Sequence, residues 1–347
     1  MTDAALVMIV KNEERCIQRC LESARPFVGK MVVVDTGSTD ATVGLCRDAG
    51  AQVHHFEWCD DFSAARNYAL EMADSDWNLV LDADEWIASD CLIEQRELEA
   101  PFLGLIKILN VSEIGDQSQT TVNWMPRWLP RGVRYEGLVH EQPISDLPKK
   151  RLNLLVHHDG YSNLVSSSKN GRNKRLLLRA LEATPSDPYI LYQLGVDDEI
   201  NRNYAGAAVL YERAHAFMKQ EYSYKRALIV RWMHCLSQAK RTQEAIALIE
   251  RYQFVYKDDP DFFFTAGNVF LDHAMQDPER ALNMWLPLAV QSWEACLDIG
   301  EKPDLEGAVI GRGSFLAAKN LHAVYSILGD RKRSDHYLSL AGRRSLV

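Results

Sequence analysis

Asp82-Ala83-Asp84-Glu85 follows the apolar run Trp77-Asn78-Leu79-Val80-Leu81. Two carboxylates one residue apart, just past a buried strand, concentrate negative charge at one edge of a sheet. Such groups repel and raise each other's pKa. A hard divalent cation bound to diphosphate oxygens removes that penalty. A second segment, Val34-Asp35-Thr36-Gly37-Ser38-Thr39-Asp40-Ala41-Thr42, ends another buried strand at Asp35. Gly37 permits a tight turn there, and Ser38 or Thr39 can cap the next helix. Those roles leave Asp35 unexplained; its carboxylate can accept from a nucleobase N–H or a ribose hydroxyl. Upstream, Val10-Lys11-Asn12-Glu13-Glu14 closes the first strand, and its backbone lies where the edge of a base could be read.

These groups need a scaffold that brings strand ends together. The first half alternates strand and helix signals. Strands are expected at 4–10, 31–35, 51–56 and 77–81, with helices at 13–23, 39–49 and 63–73. Ser63 is the expected cap of the third helix. Continuous apolar strands between helices indicate a parallel sheet covered on both faces. In such sheets ligands bind at the carboxyl ends of the strands. Shorter β segments follow at 104–111, 121–124 and 152–157, as later strands and an antiparallel hairpin.

From about residue 168 the pattern is helical. Leu194-Gly195 followed by Ala207, Tyr211 and Ala214 matches part of the tetratricopeptide signature, and it recurs loosely near Trp232, Ala245 and Ile249 and at Leu321, Tyr325, Leu338 and Ala341. Residues 277–313 are expected to hold an insertion. The expected domains are thus 1–167, α/β, and 168–347, an all-α array of tetratricopeptide-like repeats.

A chain of 347 residues suits two domains. The net charge of −9 is unevenly spread: residues 1–160 hold 15 basic and 26 acidic side chains, residues 161–347 hold 24 and 22. No basic footprint for nucleic acid is present. An acidic half that binds an anionic substrate needs a cation to help. Seven cysteines without a Cys-x-x-Cys pair favour a reducing cytoplasm. No apolar run is long enough to span a bilayer.

The motifs, taken in order, resemble family 2 glycosyltransferases of the GT-A fold: Lys-Asn-Glu-Glu after an opening strand, Val-Val-Asp-Thr-Gly-Ser-Thr-Asp, Asp61-Phe62-Ser63 with Arg66-Asn67, and Leu-Asp-Ala-Asp-Glu. They span residues 6–86. Arg134-Tyr135-Glu136-Gly137-Leu138-Val139-His140-Glu141 and His158-Asp159-Gly160-Tyr161 resemble a branch with lipopolysaccharide-core glucosyltransferases and sublancin-type peptide S-glycosyltransferases. The latter also carry a tetratricopeptide-like tail.

The resemblance implies a Rossmann-like, mostly parallel sheet and a nucleotide-diphosphate sugar donor, in particular a UDP-sugar. Asp84 would ligate Mn2+ or Mg2+ bridging the diphosphate, and Asp82 would touch ribose or metal. Val10, Asn12, Glu13, Asp35 and Ala83 would line the nucleotide, with Arg66 and Asn67 facing it; Arg66 could instead pair with Asp60 or Asp61. His158 would be a further metal ligand. Alternate strand residues face opposite sides, so either His157 or His158 can serve, and the His-x-Gly-Tyr spacing favours His158. Glu141 occupies the slot of the general base, with Asp159 as the alternative; an ion pair with Arg134 or Arg127 is the structural rival. Trp124, Trp128 and Tyr135 read as core.

The implied activity is metal-dependent inverting transfer of a sugar to an acceptor, a peptide or protein in preference to a lipopolysaccharide-core or other glycan. The helical half would bind that acceptor or form a homodimer. The rival reading is a repeat adaptor that binds nucleotide-sugar without turnover.

Overall fold

The computed structural model describes residues 3–89, 91, 100–114, 117–159, 166–219 and 222–342. It divides into two compact units, Met1–Ala180 and Leu181–Val347. That division lies inside the helix Ser166–Ala183, beyond the expected boundary at 167.

In the first unit, strands β1 (Ala4–Val10), β2 (Lys30–Asp35), β3 (Gln52–His55) and β4 (Trp77–Val80) alternate with helices α1 (Ile17–Ala24), α2 (Thr42–Asp48) and α3 (Phe62–Ala73). Then come β5 (Glu85–Ile87), β6 (Leu103–Ile114), β7 (Gln117–Pro130), β8 (Arg134–Glu136), β9 (Gln142–Ile144), β10 (Lys149–Asp159) and α4 (Ser166–Ala183). The main sheet runs β3-β2-β1-β4-β7-β6-β10-β5, and β8 pairs with β9 apart from it. Strands β3, β2, β1 and β4 are mutually parallel. Strand β7 is antiparallel to β4 and β6, and β5 to β10. The sheet is therefore mixed: a parallel half followed by a long hairpin.

Apolar residues bury both faces. Ile17, Cys20 and Leu21 of α1 and Cys46 of α2 pack on one side; Ala69, Leu70 and Ala73 of α3 pack on the other. Register places the ends of β1 and β2 level, Val10 beside Asp35. The loops after β1, β2 and β4 therefore share one edge.

Two helix starts differ from expectation. Helix α2 begins at Thr42, not 39, because Ser38 and Thr39 are drawn into contacts with the β1–α1 loop; Asp40 accepts from the Thr42 N–H instead. Helix α3 is capped by Asp61, whose carboxylate accepts from Ala64 N at 3.0 Å, and the Ser63 hydroxyl donates to that same carboxylate.

The second unit is a tetratricopeptide-like array: α5 (Pro188–Ile200), α6 (Tyr204–Phe217), α7 (Lys225–Gln238), α8 (Thr242–Tyr252), α9 (Pro260–Gln276), the single turn α10 (Pro278–Arg280), a π-helical stretch Ala281–Trp285, α11 (Leu286–Ile299), α12 (Phe315–Ile327) and α13 (Arg331–Ala341). Within residues 277–313, the segment Leu286–Ile299 is part of the helical packing. Helix α11 pairs with α9 and contributes Ala289, Trp293 and Cys296 to the common core. No helix among the described residues is long and apolar enough to cross a membrane.

Candidate active site

The site lies at the shared edge. The β1–α1 and β2–α2 loops are laced together. Asn12, with a positive φ of 56°, donates its N–H to Ser38 Oγ, and its Oδ1 accepts from Thr39 N. Glu13 N donates to Thr42 Oγ1, and Glu14 Oε2 accepts from Ala41 N. The Val10 carbonyl accepts from Thr36 N and its hydroxyl. These residues lace the two loops into one edge, which occupies the Asn12 carboxamide oxygen and the Val10 carbonyl. The Asp35 carboxylate, expected as a free acceptor, is buried and accepts from Gly37 N and Ser38 N, with His55 Nδ1 at 3.3 Å. Gly37 sits at φ 104°, which a side chain rarely adopts, so the turn needs glycine.

Past β4, Ala83 is buried, while Asp82 and Asp84 stay partly open. Register sets what they meet. Leu79 pairs with Trp128, so β7 delivers Arg127 beside the exit of β4. Arg127 Nη2 donates to Asp82 Oδ2 at 2.7 Å and to Glu85 Oε1 at 3.1 Å. From α3, Arg66 Nη2 donates to Asp82 Oδ1 at 2.7 Å, and Arg66 Nε donates to Glu141 Oε1. Burial alone would raise the Asp82 carboxyl; the two guanidiniums outweigh it and hold the group far below the usual carboxylate range. Glu85 lies deeper, and burial pushes its carboxyl up despite Arg127. Burial opposes charge on Arg66, but Asp82 and Glu141 more than compensate and raise its pKa.

One alternative is corrected here: Arg66 pairs with neither Asp60 nor Asp61 but is buried against Asp82 and Glu141. Asn67 is engaged within the protein. Its carboxamide clamps both backbone groups of Tyr135, with Nδ2 donating to the carbonyl at 2.9 Å and Oδ1 accepting from N–H at 2.8 Å. Glu141 pairs with Arg66 rather than with Arg134 or Arg127. It ends the loop between β8 and β9, where Gly137 at φ 108° brings its backbone against Glu141.

The two histidines separate as alternation requires. His158 stands opposite Glu85 on β5 and Asn110 on β6. Its Nδ1 meets Asn110 Oδ1 at 2.8 Å, and its Nε2 lies 3.5 Å from Asp84 Oδ2. Burial opposes protonation, but the hydrogen bond and charge of Asp84 raise the imidazole pKa above its ordinary value. His157 instead stacks on Trp86, ring centroids 5.4 Å apart. The side chain of Asp159, and Gly160 and Tyr161, lie outside the described residues. Arg127, Glu85 and Asn110 were not among the site residues expected from sequence. A lone arginine and a lone asparagine inside apolar strands were the available signals.

One carboxylate oxygen and one imidazole nitrogen converging, with the other ring nitrogen fixed by an amide, suit a divalent cation that completes its shell with ligand oxygens and water. Among the described residues no larger cluster of acidic, histidine or cysteine side chains is gathered.

The fold and this edge define an α/β enzyme domain, followed in the chain by a tetratricopeptide-like array. Residues 5–98 match the model of glycosyl transferase family 2. A TPR repeat-containing protein of Synechococcus elongatus is 29% identical over 299 residues, 80% of this chain and 72% of that protein. The SPbeta prophage-derived glycosyltransferase SunS of Bacillus subtilis is 30% identical over 200 residues, 54% of this chain and 47% of its own length. An uncharacterized glycosyltransferase of Rickettsia typhi is 33% identical over 102 residues, 29% of this chain and 34% of its own. The chain thus spans about half of SunS and a third of the Rickettsia protein.

Proposed function

We propose that this protein is a metal-dependent, inverting glycosyltransferase that moves a sugar from a UDP-sugar to a peptide or protein acceptor. The observation that carries the reading is the approach of His158 Nε2 to Asp84 Oδ2 at the exit of β4. Asp84 and His158 would hold Mn2+ or Mg2+. That ion supplies Lewis-acid stabilisation of charge on the departing diphosphate. Asn110 keeps the imidazole turned toward Asp84. The laced loops after β1 and β2 receive the nucleotide, with Asp35 shaping the turn that borders the base. Ala83 keeps the strand exit narrow. Glu141 accepts the acceptor's proton as its nucleophile attacks C1 on the face away from the diphosphate.

The peptide acceptor is favoured because half the chain is stacked helices of a kind that offer extended concave surfaces, which a polypeptide can use better than a small glycan. The test is to incubate the protein with individual UDP-sugars and Mn2+, then with candidate peptides, and measure released UDP. Release that needs Mn2+ and rises with a peptide supports the reading. Tight UDP binding without release from any sugar or acceptor would instead favour the adaptor.

A further inference from the structure

Five charged side chains of alternating sign form one continuous chain through the site: Glu85, Arg127, Asp82, Arg66 and Glu141. Arg127 Nη2 reaches both Glu85 and Asp82, at 3.1 and 2.7 Å. Each Asp82 oxygen takes a different guanidinium, and Arg66 spends Nη2 on Asp82 and Nε on Glu141. Four of the five are deeply buried; only Asp82 is substantially open, at 37% of its side chain. Three carboxylates meet two guanidiniums, so each guanidinium is shared between two carboxylates, and withdrawing either one leaves buried negative charge uncompensated. Asp82 and Glu85 flank Asp84 between the exit of β4 and the start of β5, Arg127 lies on β7, Arg66 on α3, and Glu141 on the β8–β9 loop.

We infer that Arg127 is a positioning residue for Glu141, acting through Asp82 and Arg66. The aspartate of the pair that precedes Asp84 is the hub of this link. With both oxygens committed to guanidiniums, Asp82 fixes Arg66, and Arg66 fixes the Glu141 carboxylate. The turn bearing Asp84 and the loop bearing Glu141 are thereby set as one unit, although they come from distant segments. Lysine in place of Arg127 keeps the charge but lacks the planar fork that spans two carboxylates.

The inference rests on Glu141 being the base, and its test separates the two ideas. Kinetics are measured with whichever UDP-sugar the parent turns over, for Arg127→Lys, Glu141→Gln and the double variant. Arg127→Lys should lower kcat by about 10²-fold, the scale of an ångström-sized misplacement, while the affinity for UDP with Mn2+ stays at the parent value. In the Glu141→Gln background it should cost nothing further, the signature of coupled residues. Equal losses in both backgrounds, or a change in KM alone, would overturn the inference. If Arg127→Lys does not fold, Asp82→Asn breaks the chain at its centre and carries the same expectation for the Arg66–Glu141 pairing, read from its crystal structure, with none for donor affinity because Asp82 itself borders the donor site. A crystal structure of the folded variant gives a readout independent of activity: Arg66 should leave Glu141, and an unchanged pairing overturns the inference. A parent inactive on every UDP-sugar would sink the proposed function but leave this structural test intact.

Discussion

Asp84 and His158 illustrate how far single residues can be interpreted. The Asp-x-Asp spacing after an apolar strand reads in sequence as two crowded carboxylates; in the structure Asp82 is met by two guanidiniums, while Asp84 lies beside His158. His158 becomes distinguishable from His157 through strand alternation, and the structure turns His157 onto Trp86. Arg127 and Asn110 carry no such mark. Their meaning arises only when β7 lies beside β4, and β6 beside β10. Asp84→Ala should abolish Mn2+-dependent UDP binding, read by calorimetry, while the unliganded protein loses its pairing with protonated His158, so that it melts lower than the parent at acid pH and level with it well above neutrality. Glu141→Gln should keep UDP binding and lose transfer by about 10²–10⁴-fold, the contribution of a positioned base; near-normal turnover would remove Glu141 from that role. His158 adds a pH dependence. Its folded pKa is raised, so its pairing with Asp84 stabilises the metal-free protein fully below its unfolded value of about 6.5 and ceases to do so as pH rises through the folded value. Metal needs the neutral ring and competes with that proton. Mn2+ affinity in the presence of UDP should therefore fall as pH drops below neutrality, and His158→Ala should remove that slope.

Elements were legible where periodicity alone decides them and less so where neighbouring loops compete. Strands β1, β2 and β4 follow their apolar runs closely, because burial on both faces leaves no polar alternation to misread, whereas β3 is the part-exposed edge strand. The start of α2 was misplaced because Ser38 and Thr39, good caps in isolation, bond to Asn12 across 26 and 27 residues of chain. In the helical unit, the Leu194-Gly195…Tyr211 pattern has a steric cause. A Cβ on Gly195 would come within 2.5 Å of the Tyr211 ring, so the glycine lets α6 approach α5. The same device recurs where Gly267 of α9 faces the indole of Trp293 on α11. Gly195→Ala should overpack that contact and destabilise the unit by about 1–3 kcal/mol. Chemical denaturation should show the loss, while UDP binding by the first unit is retained; an unchanged midpoint would mean that the helices part without cost.

At the scale of the whole molecule, the change from period-two and parallel-strand patterns to helical repeats announced two architectures, but not where one compact unit ends. Helix α4 spans the transition, and a helix has no sequence signal for which body claims each of its turns. The division at Ala180 and Leu181 gives the design of a truncation. A chain ending after Thr184 retains the sheet, Asp84, His158, Glu141 and all of α4. It should still consume donor in the presence of Mn2+, because every group assigned to the sugar nucleotide lies in the first unit. Removing the helices discriminates their purposes. If truncation abolishes glycosylation of a peptide that the full chain modifies, while donor hydrolysis persists, the array serves the acceptor. If transfer persists and a dimeric full chain becomes monomeric, as light scattering would show, the array is an assembly device. Equal transfer to a lipopolysaccharide-core acceptor with and without the helices would argue against the peptide preference, since that preference rests on the helical half having an extended substrate to hold.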